Sequence, residues 1–107
     1  MQVNITARHA DLTPPIEEYV QKKAEKMVKY FDRTQQIDVI VDKSKKAYRV
    51  EFIVDVEKHE PFVAHCDDED LYACIDHCAD RATRMLKDHK SKLRDNKHHT
   101  PTSGLEL

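Results

Sequence analysis

Pro14-Pro-Ile-Glu-Glu-Tyr-Val-Gln-Lys-Lys-Ala-Glu-Lys-Met-Val-Lys-Tyr-Phe31 is the stretch on which the fold turns. Ile16, Tyr19, Val20, Ala24, Met27, Val28 and Phe31 recur at spacings of three and four, which is the signature of a helix with one apolar side. Thr13 suits the N-cap and Pro14 the first helical position. The acid of a capping box is displaced by one, since Ile occupies position 16, but Glu17 and Glu18 complement the positive end of the helix dipole. The polar side carries Lys22, Lys23, Lys26 and Lys29, with Arg33 just beyond.

Before this helix, Val3, Ile5 and Ala7 alternate with Gln2, Asn4, Thr6 and Arg8, so the chain opens with a strand that has one apolar and one wet face. After it, Ile37, Val39 and Val41 alternate, as do Tyr48, Val50, Phe52, Val54 and Val56. The polar turn Lys43-Ser-Lys-Lys46 joins them into a hairpin. Lys58-His-Glu-Pro61 breaks the chain, and Phe62, Ala64 and Cys66 supply a fourth strand. Asp67-Asp-Glu-Asp70 reads as an acidic helix start, with Asp67 or Asp68 as cap. Leu71, Ile75, Cys78, Ala82, Met85 or Leu86, and Leu93 then form an apolar stripe. Residues 1–95 are expected to form one domain and 96–107 a polar, disordered tail. A chain of 107 residues has room for one core.

The predicted order is β-α-β-β-β-α, an α+β fold with a four-stranded mixed sheet. The helix between the first two strands makes them a parallel pair, while the remaining connections are hairpins. Two amphipathic helices need an apolar surface, so both are expected side by side on one face of the sheet.

Net charge is −2, but the charge is segregated. Of 18 Lys and Arg residues, nine lie between Lys22 and Arg49 and seven between Arg81 and Lys97; Glu51–Asp80 holds ten acids and one base. The second helix carries Arg81, Arg84, Lys87, Lys90, Lys92 and Arg94. One or two such cations favour a helix C-terminus, but six repel one another at spacings of three and four, so helix stability alone does not account for them. With both helices on one face, the two blocks merge into one cationic surface. Lys and Arg in such an array hold phosphates. Most of the seven aromatics fall on core stripes, so phosphate and shape recognition is expected, with little base readout.

Enzymatic chemistry finds no support. One glycine leaves no phosphate-cradling loop, and no Gly-x-Ser-x-Gly, His-Glu-x-x-His or Cys-x-x-Cys occurs. Cys74 and Cys78 share a helix face, with His77 between them and His65-Cys66 upstream, a conceivable zinc set. They also fall on or beside the apolar stripe, and core packing is the stronger reading. His9, His59, His89, His98 and His99 are expected to be exposed. No cofactor, small-molecule substrate or membrane partner is implied. The absence of an apolar signal and the odd cysteine count fit a cytoplasmic, reduced setting.

Met1-Gln-Val-Asn-Ile-Thr, Lys26-Met-Val-Lys-Tyr-Phe-Asp-Arg33, Asp70-Leu-Tyr-Ala-Cys-Ile-Asp76 and Lys87-Asp-His-Lys-Ser-Lys-Leu-Arg94 resemble the ribosome hibernation promoting factor family, also called protein Y, ribosome-associated inhibitor A or sigma-54 modulation protein. The likeness runs over about 95 residues. It implies a ribosome-binding domain over 1–95 that docks, as a monomer off the ribosome, in the decoding channel of the small ribosomal subunit. There it would contact rRNA and exclude mRNA and tRNA. The positions that match the family's RNA contacts are Lys23, Lys26, Arg33, Arg81, Arg84, Lys87, Lys90, Lys92 and Arg94; Lys22 and Lys29 add charge beyond the expected pattern. Asp70, Tyr72 and Asp76 match the signature of the second helix, with helix start and packing as the favoured roles. The long linker and second domain of the family's long form are not seen, so direct ribosome dimerisation is not implied. Two other readings stay open. One is a general double-stranded RNA binder, although Lys22-Lys-Ala-Glu-Lys26 lies mid-helix. The other is a sigma-factor adaptor using the wet sheet face.

Overall fold

A computed structural model gives the fold and describes residues 2–98. Strand β1 (Gln2–Arg8) leads into helix α1 (Pro14–Val28), then β2 (Thr34–Lys43), β3 (Tyr48–Val56), β4 (Phe62–Asp68) and helix α2 (Leu71–His98). The sheet order is β1-β2-β3-β4; β1 and β2 pair in parallel and the other two pairs are antiparallel. This is the α+β arrangement expected from the periodicities.

The register explains why both helices share one face. It aligns Ile5, Val39, Phe52 and Ala64 across all four strands, with Val3, Ile37, Val54 and Phe62 on one side and Ala7, Val41, Val50 and Cys66 on the other. These three apolar rows form the floor of the core. α1 covers β1 and β2 with Val20, Ala24 and Met27, and α2 covers β3 and β4 with Leu71, Cys74, Ile75, Cys78, Ala79, Ala82 and Leu86. The intervening rows, such as Arg8, Asp42, Arg49 and Asp67, face away from the helices.

Several local expectations are corrected. α1 closes at Val28, where the Tyr30 and Phe31 amides bond back to the Met27 and Val28 carbonyls in tight i→i+3 turns, so Phe31 is buried in the turn and not in the helix. Asp70, not Asp67 or Asp68, caps α2: its Oδ1 accepts from the Tyr72 and Ala73 amides at 2.9 and 3.4 Å. Asp68 is still paired with Tyr48 in the sheet, and its Oδ1 accepts from the Asp70 amide. Leu93 is 36% exposed, because a helix of 28 residues, about 42 Å long, outruns the strands beneath it. α2 is described to His98; residues 99–107 of the expected tail lie outside the described residues. Replacing Asp70 by Ala should cost about 1 kcal/mol and lower the melting temperature by roughly 4–8 °C in a thermal melt.

The cysteines pack as core residues. Cys78 Sγ donates to the Val50 and Ala64 carbonyls at 3.3 and 3.2 Å, and Cys74 Sγ to the Cys66 carbonyl at 3.1 Å. Burial pushes the thiols up to about 11 (Cys74) and about 12 (Cys78), so both stay protonated and are poor metal ligands. Among the described residues no cluster of three His, Cys, Asp or Glu could hold a metal, and no helix is long and apolar enough to cross a membrane.

Candidate nucleic-acid interface

Chain direction decides where the two basic blocks fall. β4 runs antiparallel to β3, which runs antiparallel to β2, so β4 points the same way as β1. α1 follows β1 and α2 follows β4, and the two helices return over the sheet in the same direction. Their contacts advance together along both chains. Tyr19 meets Tyr72 edge to face at 5.0 Å, Lys23 Nζ lies 3.0 Å from Asp76 Oδ1, and Lys87 Nζ sits 4.4 Å above the Tyr30 ring. Farther on, Phe31 packs against His89 at 5.2 Å. Parallel helices bring Glu17 in the first turn of α1 to the same end as the Asp67–Asp70 run that precedes α2, and their basic C-terminal halves together at the other.

Three adjoining depressions carry the cations. The seam between the helices is a groove of about 280 Å³ whose walls include Lys23, Lys26, Tyr30, Arg84 and Lys87, with Asp80 and Thr83 beside them. On the outer flank of α1, Lys22, Lys26, Lys29 and Tyr30 line a second, of about 490 Å³, with Glu25 among them. Toward the β4 edge, Arg81 and Arg84 line a third, of about 530 Å³, with His65, Cys66, Asp67, His77 and Asp80. Lys26 and Arg84 each belong to two of these, so the band is continuous across both helices. Lys90, Lys92 and Arg94 are exposed on the part of α2 beyond Leu86, its last fully buried residue. Because Phe31 packs on His89, Arg33, two residues past Phe31, and Lys92, three past His89, lie at the same end of the helix pair.

The cations differ in how much they are already engaged. Asp76 accepts from Tyr19 Oη at 2.5 Å as well as pairing with Lys23. The Tyr19 hydroxyl, then Lys23, hold its carboxyl below the usual carboxylate range, while the same aspartate raises Lys23 and Tyr19. Lys23 therefore serves packing as much as any ligand. Arg81 donates to the His65 carbonyl at 3.1 Å, and Lys22 meets Glu18 at 3.5 Å in an exposed pair of small value. Among the described residues no acidic partner takes up Lys26, Lys29, Arg33, Arg84 or Lys87. On the far side of the sheet, Asp38, Asp42, Glu51, Asp55 and Asp67 outnumber Arg8 and Arg49, so the molecule is cationic on the helix face and acid-rich on the other.

The structure adds one feature and changes one expectation. Tyr19 packs against the core as its place on the stripe implies, and it also meets Tyr72 at the helix seam, which Tyr30 lines farther along. Only spatial pairing reveals this, since Tyr19 and its partner Asp76 are 57 positions apart. His89 is half-buried, not exposed. It is held by Phe31, Phe62 and His59, and its Nε2 is enclosed without a hydrogen-bond partner among the described residues. Burial foremost, then His59, Lys92 and Arg33, lower its pKa. A lowered folded value means the unfolded chain binds the proton first, so stability is full above the ordinary histidine value and is lost as pH falls through the depressed one. Urea unfolding at pH 7.5 and pH 5 should show a larger loss for the wild type than for His89→Phe; equal losses would remove His89 from the account.

Fold and surface together define a two-layer domain whose paired helices present a band of Lys and Arg. The chain belongs to the family described as Sigma 54 modulation protein / S30EA ribosomal protein, which matches residues 3–94. It is 38% identical over 92 residues to a ribosome hibernation promoting factor of Pseudomonas putida, spanning 86% of this chain and 89% of that one. The Escherichia coli protein of the same name is 34% identical over 94 residues, covering 88% and 98%. Among solved structures, the N-terminal domain of Thermus thermophilus Protein Y superposes with a TM-score of 0.75 at 28% identity, covering 83% of this chain and 99% of that one. A ribosomal subunit interface protein from Coxiella burnetii shares the fold, with a TM-score of 0.79 at 21% identity, covering 85% and 99%.

Proposed function

We propose that this chain is a non-enzymatic, cytoplasmic ribosome hibernation factor that binds rRNA of the small subunit through its helix face, sits in the decoding channel, and keeps mRNA and tRNA out. The observation that carries the reading is the parallel helix pair, which gathers Lys22, Lys23, Lys26, Lys29 and Arg33 of one block beside Arg81, Arg84, Lys87, Lys90, Lys92 and Arg94 of the other. Such a surface neutralises phosphates and gains from counterion release. The acid-rich sheet face repels RNA, so the domain binds with one side only. The names of its relatives support the ribosome as the partner. Inhibition needs no chemistry in this scheme: a domain with a 54 Å long axis excludes other ligands by filling the space they use.

The test is displacement. Labelled mRNA and tRNA are bound to purified small subunits and the chain is titrated in. Release of both labels, at chain concentrations that rise steeply with salt, is the expected result. Ribosome binding without release would place the chain elsewhere on the ribosome, and binding indifferent to salt would favour a protein partner on the sheet face.

A further inference from the structure

We propose that Tyr72 is a seat for one unpaired nucleobase of the RNA held by the helix face. The inference rests on the RNA-binding reading above and extends it from phosphates to a base. Tyr72 is 42% exposed, the only aromatic of the exposed class among the described residues; Phe52 and Phe31 are buried and the rest half-buried. Its ring is nevertheless held in place. It meets Tyr19 edge to face, at 80° between planes, and Tyr19 is fixed through its hydroxyl on Asp76, which Lys23 holds in turn. An edge-to-face contact engages at most one face of a ring, so a face of Tyr72 stays available. Ordering of the side chain has been met before a ligand arrives, which lowers the cost of stacking on it.

Position and charge select the ligand. Tyr72 lies on the same seam as the cationic groove, twelve residues before Arg84, about 18 Å along the helix axis. That distance is about five steps of a strand that rises 3.4 Å per nucleotide. A strand whose phosphates lie against Lys26, Arg84 and Lys87 can therefore reach it. Glu69 and Asp70 lie just before Tyr72, and Asp76, one turn after it, offsets Lys23, so this end of the seam disfavours a phosphate. The uncharged face of a base is the part of an RNA strand that the acidic end tolerates, and stacking on an aromatic ring is indifferent to which base it is.

The chain contains no tryptophan, so Tyr72→Trp carries a single reporter at the site. Mixed with purified small subunits and read as the difference from the same mixture with wild-type chain, the variant's emission should be quenched without a blue shift, as expected for stacking on a base. Tyr72→Ala should weaken binding roughly 5- to 150-fold. Its salt dependence should match that of the wild type, since no phosphate contact is lost. Unchanged Trp emission, or an alanine variant that binds like the wild type, would overturn the proposal and leave Tyr72 as a cover for Tyr19. A brighter, blue-shifted emission would overturn it in favour of an apolar protein neighbour. Should Tyr72→Ala lose its circular dichroism spectrum, the Trp variant alone decides. Failure of the wild type to bind subunits would refute the RNA-binding reading itself, a separate result.

Discussion

Arg84→Glu combined with Lys87→Glu should abolish ribosome binding while leaving the domain folded. Arg84 lines both the helix seam and the depression toward β4, and Lys87 lines the seam from the next turn of α2. A hydrogen bond to a charged group contributes roughly 1.5–3 kcal/mol. Two such contacts therefore amount to about 3–6 kcal/mol, or roughly 10²- to 10⁴-fold in affinity. Reversal adds repulsion from the same phosphates, so the loss should lie at or beyond the upper end. The slope of log affinity against log salt should also become shallower by about one for each contact removed. Both side chains are exposed, and the interaction forfeited within the protein is Lys87 over Tyr30, worth about 0.5–1 kcal/mol at an exposed site. Filter binding at several salt concentrations, beside a thermal melt, measures both effects. Wild-type affinity in a folded double variant would remove this surface from the binding account.

Phe52→Ala should produce the largest loss of stability. Phe52 sits at the centre of the sheet, between Val39 and Ala64 in the register, and no part of it reaches solvent. Truncation removes its apolar contacts and leaves a cavity that neither helix can fill without moving. The expected cost is roughly 3–5 kcal/mol, against a total of about 5–15 kcal/mol for a typical domain. Urea unfolding should show a midpoint shifted far down with little change in slope. A loss below about 1 kcal/mol would mean that the helices do not close over the central row as described.

Most of the fold was legible because each element has its own period. Two-residue alternation in 2–8, 37–41 and 48–56 and helical spacing from Ile16 onward leave little choice of order, and one apolar sheet face draws both helices to it. The ends of elements were not legible. Apolar spacing carries on through Phe31 although the helix stops at Val28, because a tight turn buries that side chain as well as a helix would. Three neighbouring aspartates could each cap α2, and only the pairing of Asp68 with Tyr48 shows that the strand is still running there. Leu93 continues a stripe that has no sheet left beneath it.

The candidate surface was readable as two runs of Lys and Arg. That they coincide depends on the helices being parallel, which follows from the directions of β1 and β4 and was available in the strand order. The tyrosines of the seam left no local trace, since Tyr19 and Asp76, or Tyr30 and Lys87, become neighbours only after folding. His89 was misjudged for a related reason: its position among Arg84, Lys87, Lys90 and Lys92 reads as solvent-facing, while Phe31 and Phe62 arrive from two distant elements to cover it.

Sedimentation of the chain with purified ribosomes and separated subunits on a sucrose gradient, run at low and high salt, tests the central claim most directly. Co-migration with small subunits and whole ribosomes at low salt, lost at high salt and absent for large subunits alone, is the predicted result. A chain that remains at the top of the gradient at low salt, or that travels with large subunits alone, would contradict it.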